Sequence, residues 1–345
     1  MKDFVAALPK VELHVHLVGS ASVPTVLDLA RRHPDGGVPT EEQALRDFYE
    51  FRDFAHFIEN YIKVDALVRT GQDVLTLLLG LARDQAAGNI RYSEVTVTPT
   101  SHLRNGIAPD ELAEALTEAR ELARQQHGVE FAWVFDIDGV LGREGGPKTL
   151  DWVLKHRPEG TVGLGLGGPE IGVPREWYRE QFAVAVDNGL HCLPHAGETT
   201  GPETVWAAVN ELHAERIGHG ISAIQDIRLV NHLAEHGIAL EVNPTSNIRT
   251  KALSTLDPAS GPSADRIENH PLPRLVAAGV PVVLGTDDPG MFHTTLNDEY
   301  MLCHEVFGYD RAQLAELANT AVQVSYAPEE VKKALTAEIT ALLSG

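Results

Sequence analysis

Cysteine is scarce: Cys192 and Cys303 are the only two, without CxxC spacing. That excludes a disulfide framework, and a reduced, cytoplasmic setting is expected. No run of some 20 apolar residues occurs, and Met1-Lys2-Asp3-Phe4 leads into the first predicted strand without a long apolar stretch. Neither a membrane segment nor an export signal is expected. Basic residues are also short, with 28 Lys and Arg against 49 Asp and Glu, a formal charge of −21. Nucleic acid is thereby disfavoured as a partner, because binding it depends on clustered Lys and Arg. A small anionic substrate is not excluded, since one or two arginines placed in a pocket outweigh a distant, salt-screened surface field. Low-complexity tracts and internal repeats are missing too.

What remains is an ordinary globular composition, 43% apolar and 22% charged over 345 residues, enough to bury a large core. Apolar runs bounded by turn residues predict strands at 11–17, 90–98, 129–138, 161–168, 190–198, 216–220, 238–247 and 280–288. Helical patterns alternate with them at 24–32, 41–86, 109–126, 149–155, 174–188, 202–211, 223–235 and 272–278. Further helices are expected at 296–307, 311–320 and 328–343. Eight alternating units predict an α/β fold, a (β/α)₈ TIM-type barrel forming one domain over 1–345, with reactive groups at the carboxyl face. A doubly wound open sheet is the competing architecture. Closure is preferred because it sets strands one and eight side by side, letting residues from strands one, five, six and eight meet. The stretch 41–86 is long for a barrel helix and is expected to be an inserted helical cap over the mouth.

Four motifs end predicted strands: His14-Val15-His16, His195-Ala196-Gly197-Glu198, His219-Gly220 and Asp287-Asp288. Imidazoles at i and i+2 of a strand point to one side, so His14 and His16 can grip one ion. With His195 and Asp287 they form the three-nitrogen, one-oxygen set of a catalytic zinc with room for water. Each motif alone is common: two polar residues on a strand face, a structural histidine, a surface turn. Glu198 is placed to move protons beside such a water, whose pKa the ion lowers to ~7. His219 is either a fourth histidine ligand or a support for the attacking hydroxide, and with Asp287 available the second role is preferred. Asp288 is assigned to the substrate as a hydrogen-bond partner.

These residues, in this order, resemble the adenosine deaminase family of the amidohydrolase superfamily, from Pro9-Lys10-Val11-Glu12-Leu13-His14 to Ser325-Tyr326. The resemblance implies one zinc on His14, His16, His195 and Asp287, hydrolysis at the amino-bearing carbon of a purine nucleoside, and release of ammonia. Glu198 would carry the proton to the adjacent ring nitrogen, His219 would support the hydroxide, and Asp288 would contact the imidazole-ring nitrogen. Gly168, in Gly165-Leu166-Gly167-Gly168-Pro169-Glu170, matches the glycine whose backbone amide contacts the purine. No lysine stands at this fourth strand end, which argues against the two-metal, carbamylated-lysine version of the superfamily.

Where classical members carry an acid that binds the ribose 5′-hydroxyl, this chain reads His16-Leu17-Val18-Gly19-Ser20. Burying a hydroxyl without a partner costs ~1–3 kcal/mol, so plain adenosine loses affinity while a carbon-substituted 5′ position is accepted at Val18. This form, with Gly168-Pro169-Glu170 and the segment from Phe51 to Phe57, resembles the branch acting on aminodeoxyfutalosine in menaquinone biosynthesis. Phe51, Phe54 and Phe57 are assigned to stacking on its benzoate-containing arm, although a core-facing stripe explains any one of them at least as well. Arg52, His56, Arg104 and Arg249 are candidates for its carboxylate. Adenosine, adenine, and binding of nucleoside or metal without turnover are the alternatives. The sequence leaves the oligomeric state open.

Overall fold

Eight parallel strands follow one another in chain order: β1 (Lys10–His16), β2 (Ile90–Val97), β3 (Glu130–Asp138), β4 (Thr161–Gly167), β5 (His191–Ala196), β6 (Arg216–His219), β7 (Ala239–Val242) and β8 (Val282–Leu284). The structure, a computed structural model, describes residues 1–52, 54–256 and 258–344. Closure comes from a bridge between Val15 and Asp287. His16 N–H donates to the Asp287 carbonyl at 2.8 Å, and Asp287 N–H donates to that of His14 at 3.0 Å. The sheet is therefore the expected (β/α)₈ barrel. Strands β7 and β8 are wholly buried, as suits parallel strands covered on both faces.

Two strands are much shorter than the sequence predicts, and the others differ from it by one or two residues at an end. The run 238–247 divides: β7 stops at Val242, and Pro244–Arg249 is a helix. Pro244 has no N–H for a ladder and a φ suited to a first helical turn. Pro289 likewise ends the run 280–288 and opens the helix Pro289–Phe292. Both helices lie beyond the carboxyl ends of their strands, where they bring Ser246, Asn247 and Asp288 to the mouth.

Among the described residues, the stretch 41–86 holds three helices. Gly71–Ala87 starts at a capping box made by Thr70 and Asp73 and packs on β2 and the helix Pro109–His127, in the outer ring. Glu42–Phe48 and Phe54–Asp65 stand over the mouth: Arg249 donates to the Tyr49 carbonyl at 3.1 Å, and Phe57 meets Phe292 with ring centroids 4.9 Å apart. At the opposite end the helix Lys2–Ala7 is tied down by Lys10, whose Nζ donates to the carbonyls of Val5 and Leu8. The tail helices are Leu296–Glu305, Arg311–Val324 and Glu329–Ser344, and Arg311–Val324 covers β8 and β1. No helix among the described residues is long and apolar enough to cross a membrane.

Candidate active site and metal centre

His14 and His16 project into the barrel mouth from β1. The pairing of β1 with β2 slips between Glu12 and Val15, so Glu12 turns away and accepts from Gln85 Nε2 at 2.8 Å. His16 Nε2 lies 3.1 Å from His195 Nε2 and 3.2 Å from Asp287 Oδ1. His14 Nε2, buried and without a hydrogen bond, is 3.5 Å from the same oxygen. The ligand atoms of these four residues all lie within 4.8 Å of one another. A tetrahedral ion with bonds of about 2.0–2.1 Å requires edges of about 3.3–3.4 Å between its ligand atoms. The set fits one divalent cation.

Electrostatics point the same way. Burial opposes charge on His14, yet its contacts with Asp287 and Glu241 push the imidazolium pKa up to about 10. Burial, then the neighbouring His14 and His16, hold His195 far below the usual histidine range, so it is a neutral donor. Two of the ligands, His14 and Asp287, are braced from behind by hydrogen bonds. His14 Nδ1 meets Glu241 Oε2 at 2.9 Å, and Glu241 Oε1 accepts from Arg216 Nε at 2.7 Å. Arg216 in turn donates to Glu94. Ser246 Oγ donates to Asp287 Oδ2 at 2.6 Å, and Asp136 Oδ2 stands 3.7 Å from His195 Nδ1. Such partners fix ring orientation and ligand basicity.

Backbone geometry is unusual at two of these positions. His219 and Asp287 have φ of 62° and 63°, a left-handed conformation costing roughly 1–3 kcal/mol in a residue other than glycine. On β6, a Cβ on Gly218 would lie 2.8 Å from His14 Cε1 and 3.1 Å from the His195 ring. Only glycine lets the two imidazoles pass so close.

Glu198 follows β5 on a loop that Glu170 holds in place. Glu170 Oε1 accepts from the backbone N–H of Gly197 at 2.5 Å, and Oε2 accepts from those of Glu198, Thr199 and Thr200 at 3.0, 2.5 and 3.2 Å. His219 Nε2 is 3.7 Å from both Glu198 Oε2 and Asp287 Oδ2. Burial, with Asp287 and Glu170 nearby, raises the Glu198 carboxyl well above the carboxylate range. Burial also lowers His219 to about 3, leaving the ring neutral. Asp288, buried beside Asp287, is pushed up to about 8, and its Oδ1 has no hydrogen-bond partner among the described residues.

The remaining predicted residues spread around the mouth. Gly168 is exposed just past β4, with φ of 85°. Val18 is buried in the apolar core, one residue before Gly19, where a Cβ would collide with the Asp288 carboxylate. Phe51 is half-buried, with its ring 5.3 Å from Phe57 and 6.2 Å from Phe292. The Phe54 side chain lies outside the described residues. Arg249 stacks over Phe51 at 5.9 Å, and Arg104 is exposed and 3.1 Å from Asp138 Oδ2. Sequence reasoning missed Glu241, Asp136, Ser246 and the grip of Glu170. A lone acid inside an apolar strand, as in Leu240-Glu241-Val242 and Phe135-Asp136-Ile137, was the available signal.

A parallel barrel gathering three imidazoles and a carboxylate at its carboxyl end, with a protonatable glutamate alongside, defines the class of metal-dependent barrel hydrolases. Within that class, the adenosine deaminase family model matches residues 9–342, and the chain belongs to this family. It is 48% identical to the aminodeoxyfutalosine deaminase of Streptomyces avermitilis, covering 98% of this chain and 92% of that one. Among solved structures it is similar to the adenine deaminase of Arthrobacter aurescens, with a TM-score of 0.90 at 27% identity over 98% of this chain and all of that one. An amidohydrolase from Burkholderia ambifaria with bound zinc matches with a TM-score of 0.87 at 25% identity, over 99% of this chain and 93% of that one.

Proposed function

We propose that this chain hydrolyses the exocyclic amine of aminodeoxyfutalosine, releasing ammonia, with one zinc ion held by His14, His16, His195 and Asp287. The observation that carries the reading is the 48% identity over nearly the whole chain to an aminodeoxyfutalosine deaminase, joined to a site where every group that deamination needs converges. When bound, zinc supplies Lewis acidity that lowers the pKa of a coordinated water to ~7.

The chain's own residues supply the rest. Glu198, whose buried setting favours the protonated form, gives its proton to the purine ring nitrogen next to the amino-bearing carbon, which makes that carbon electrophilic. The resulting carboxylate accepts one proton of the attacking water and passes it to the departing amine, then recovers its own proton from the remaining O–H as the carbonyl forms and ammonia leaves. Neutral His219 orients the attacking oxygen through Nε2, which faces the same space as Glu198 and Asp287. Asp288 holds the imidazole-ring nitrogen of the purine with its unpartnered oxygen, and the Gly168 amide meets the six-membered ring. Glu241 and Ser246 keep His14 and Asp287 aimed. Val18 and Phe51 are assigned to the 5′ arm.

Adenine is the second reading, favoured by the TM-score of 0.90 to an adenine deaminase. Steady-state ammonia release from aminodeoxyfutalosine, adenosine and adenine by the zinc-loaded protein separates them. A preference of ~100-fold or more in kcat/KM for the 5′-extended nucleoside, about 2.7 kcal/mol of differential transition-state binding, is expected. Equal or better use of adenine or adenosine overturns the substrate while keeping the deaminase.

A further inference from the structure

His270 is far from the reaction in sequence and lies on the segment before the helix Leu272–Ala277, yet it is buried and joined to the site by one residue. Its Nδ1 accepts from the backbone N–H of Leu272 at 3.1 Å. A backbone N–H can only donate, so Nδ1 carries no proton and, in the neutral ring, Nε2 does. His270 Nε2 then donates to Asn247 Oδ1, 3.1 Å away. That fixes the amide of Asn247, whose Nδ2 points at His219 Nδ1 at 3.1 Å and donates to it. A second amide agrees: Asn243 Nδ2 donates to the Glu241 carbonyl at 3.2 Å and lies 3.4 Å from the same His219 nitrogen.

We propose that His270 and Asn247 are positioning residues that hold His219 in the tautomer with its proton on Nε2. The inference rests on the reading of His219 as the group that orients the attacking oxygen. With Nδ1 occupied as an acceptor, the Nε2–H points into the space shared with Glu198 and Asp287 and offers the incoming oxygen a hydrogen bond. The other tautomer would present a lone pair there, repel the Asp287 carboxylate and turn the water's hydrogens the wrong way. Wrong-tautomer imidazoles in other hydrolytic sites lower turnover by ~10⁴-fold with the geometry intact.

The test uses the full-length zinc-loaded protein labelled with ¹⁵N-histidine, whose ring nitrogens show separate shifts when protonated and when bare. His219 signals are assigned by comparison with His219→Asn. The wild-type protein is expected to show a bare Nδ1 and a protonated Nε2 at His219. Asn247→Asp replaces the donor with an acceptor of the same shape and is expected to put a proton on His219 Nδ1. The same variant is expected to lower kcat by at least about 100-fold, with KM within about threefold and zinc content unchanged. A proton on Nδ1 in the wild type, or an Asn247→Asp protein with wild-type shifts or wild-type kcat, overturns the proposal. Should Asn247→Asp fail to fold, His270→Gln and His270→Leu decide it. Glutamine both accepts and donates and should keep kcat within about threefold, whereas leucine should lose about 10-fold or more; equal kcat in the two overturns the proposal. If the wild type releases ammonia from none of the three purines, the functional reading fails, and the ¹⁵N spectra still decide the tautomer.

Discussion

Glu170→Gln tests how the proton-carrying loop is held. The Glu170 carboxylate accepts five hydrogen bonds, four from consecutive backbone N–H groups of Gly197 to Thr200 and one from Thr199 Oγ1 at 3.1 Å. In the least costly orientation a glutamine keeps its oxygen toward Glu198, Thr199 and Thr200 and turns its NH₂ toward the buried Gly197 N–H. One buried donor is then unpaired, at about 1–3 kcal/mol, and the other bonds lose their charge assistance. The sum is roughly 2–4 kcal/mol of stability. At roughly 1.4 °C per kcal/mol for a chain of this size, Tm should fall by roughly 3–6 °C. The loop also relaxes away from Glu170 and carries Glu198 with it. A shift of ~1 Å in a reacting group costs ~100-fold in rate, and because Glu198 acts in the transition state the loss should appear in kcat rather than KM. Ammonia release at saturating substrate, with zinc content measured in parallel, reads the effect. A Glu170→Gln protein with wild-type kcat and an unchanged unfolding midpoint would refute the reasoning.

Glu198→Gln should retain zinc and lose ~10²–10⁴-fold in kcat, and undiminished turnover would remove Glu198 from proton transfer. Chelation followed by dialysis should abolish activity and lower Tm, since an ion present at 1,000 times its Kd contributes about 4.1 kcal/mol; full activity in metal-free protein contradicts the metal centre. Burial, with the Arg274 charge nearby, lowers the His270 pKa to about 3, against ~6.5 in the unfolded chain. Between these values the unfolded state binds the extra proton, so this contribution is complete above ~6.5 and is lost as pH falls toward 3. The wild type should therefore lose about 2 kcal/mol more than His270→Gln between pH 7 and pH 5 in urea denaturation, and equal losses would show that His270 is not buried neutral.

The chemistry-bearing residues were legible one motif at a time because each sits where a strand period meets a turn. His14 and His16 share a face by simple alternation, and His195, His219 and Asp287 each terminate an apolar run. Eight alternating runs left an open sheet or a closed barrel, and the need for residues of strands one, five, six and eight to meet favoured closure, which brings strands one and eight together. Composition and charge weighed against nucleic acid, a disulfide framework and membrane helices before any motif was read. What lay beyond reach were the partners behind the ligands. His14 and Glu241 are 227 residues apart, and Arg216 and Glu94 are 122 apart, so their pairing exists only after the sheet has closed. The helix Pro244–Arg249, read as strand from its apolar lead-in, is what delivers Ser246 to Asp287 and Asn247 to His219. The left-handed φ of His219 and Asp287 leaves no trace in periodicity, since the packing around them imposes it. Sequence determined which groups can carry the reaction and that they meet, because residue type and strand period are local. Tertiary structure alone decided their orientation, protonation and tautomer, because hydrogen bonds and burial between distant segments set all three.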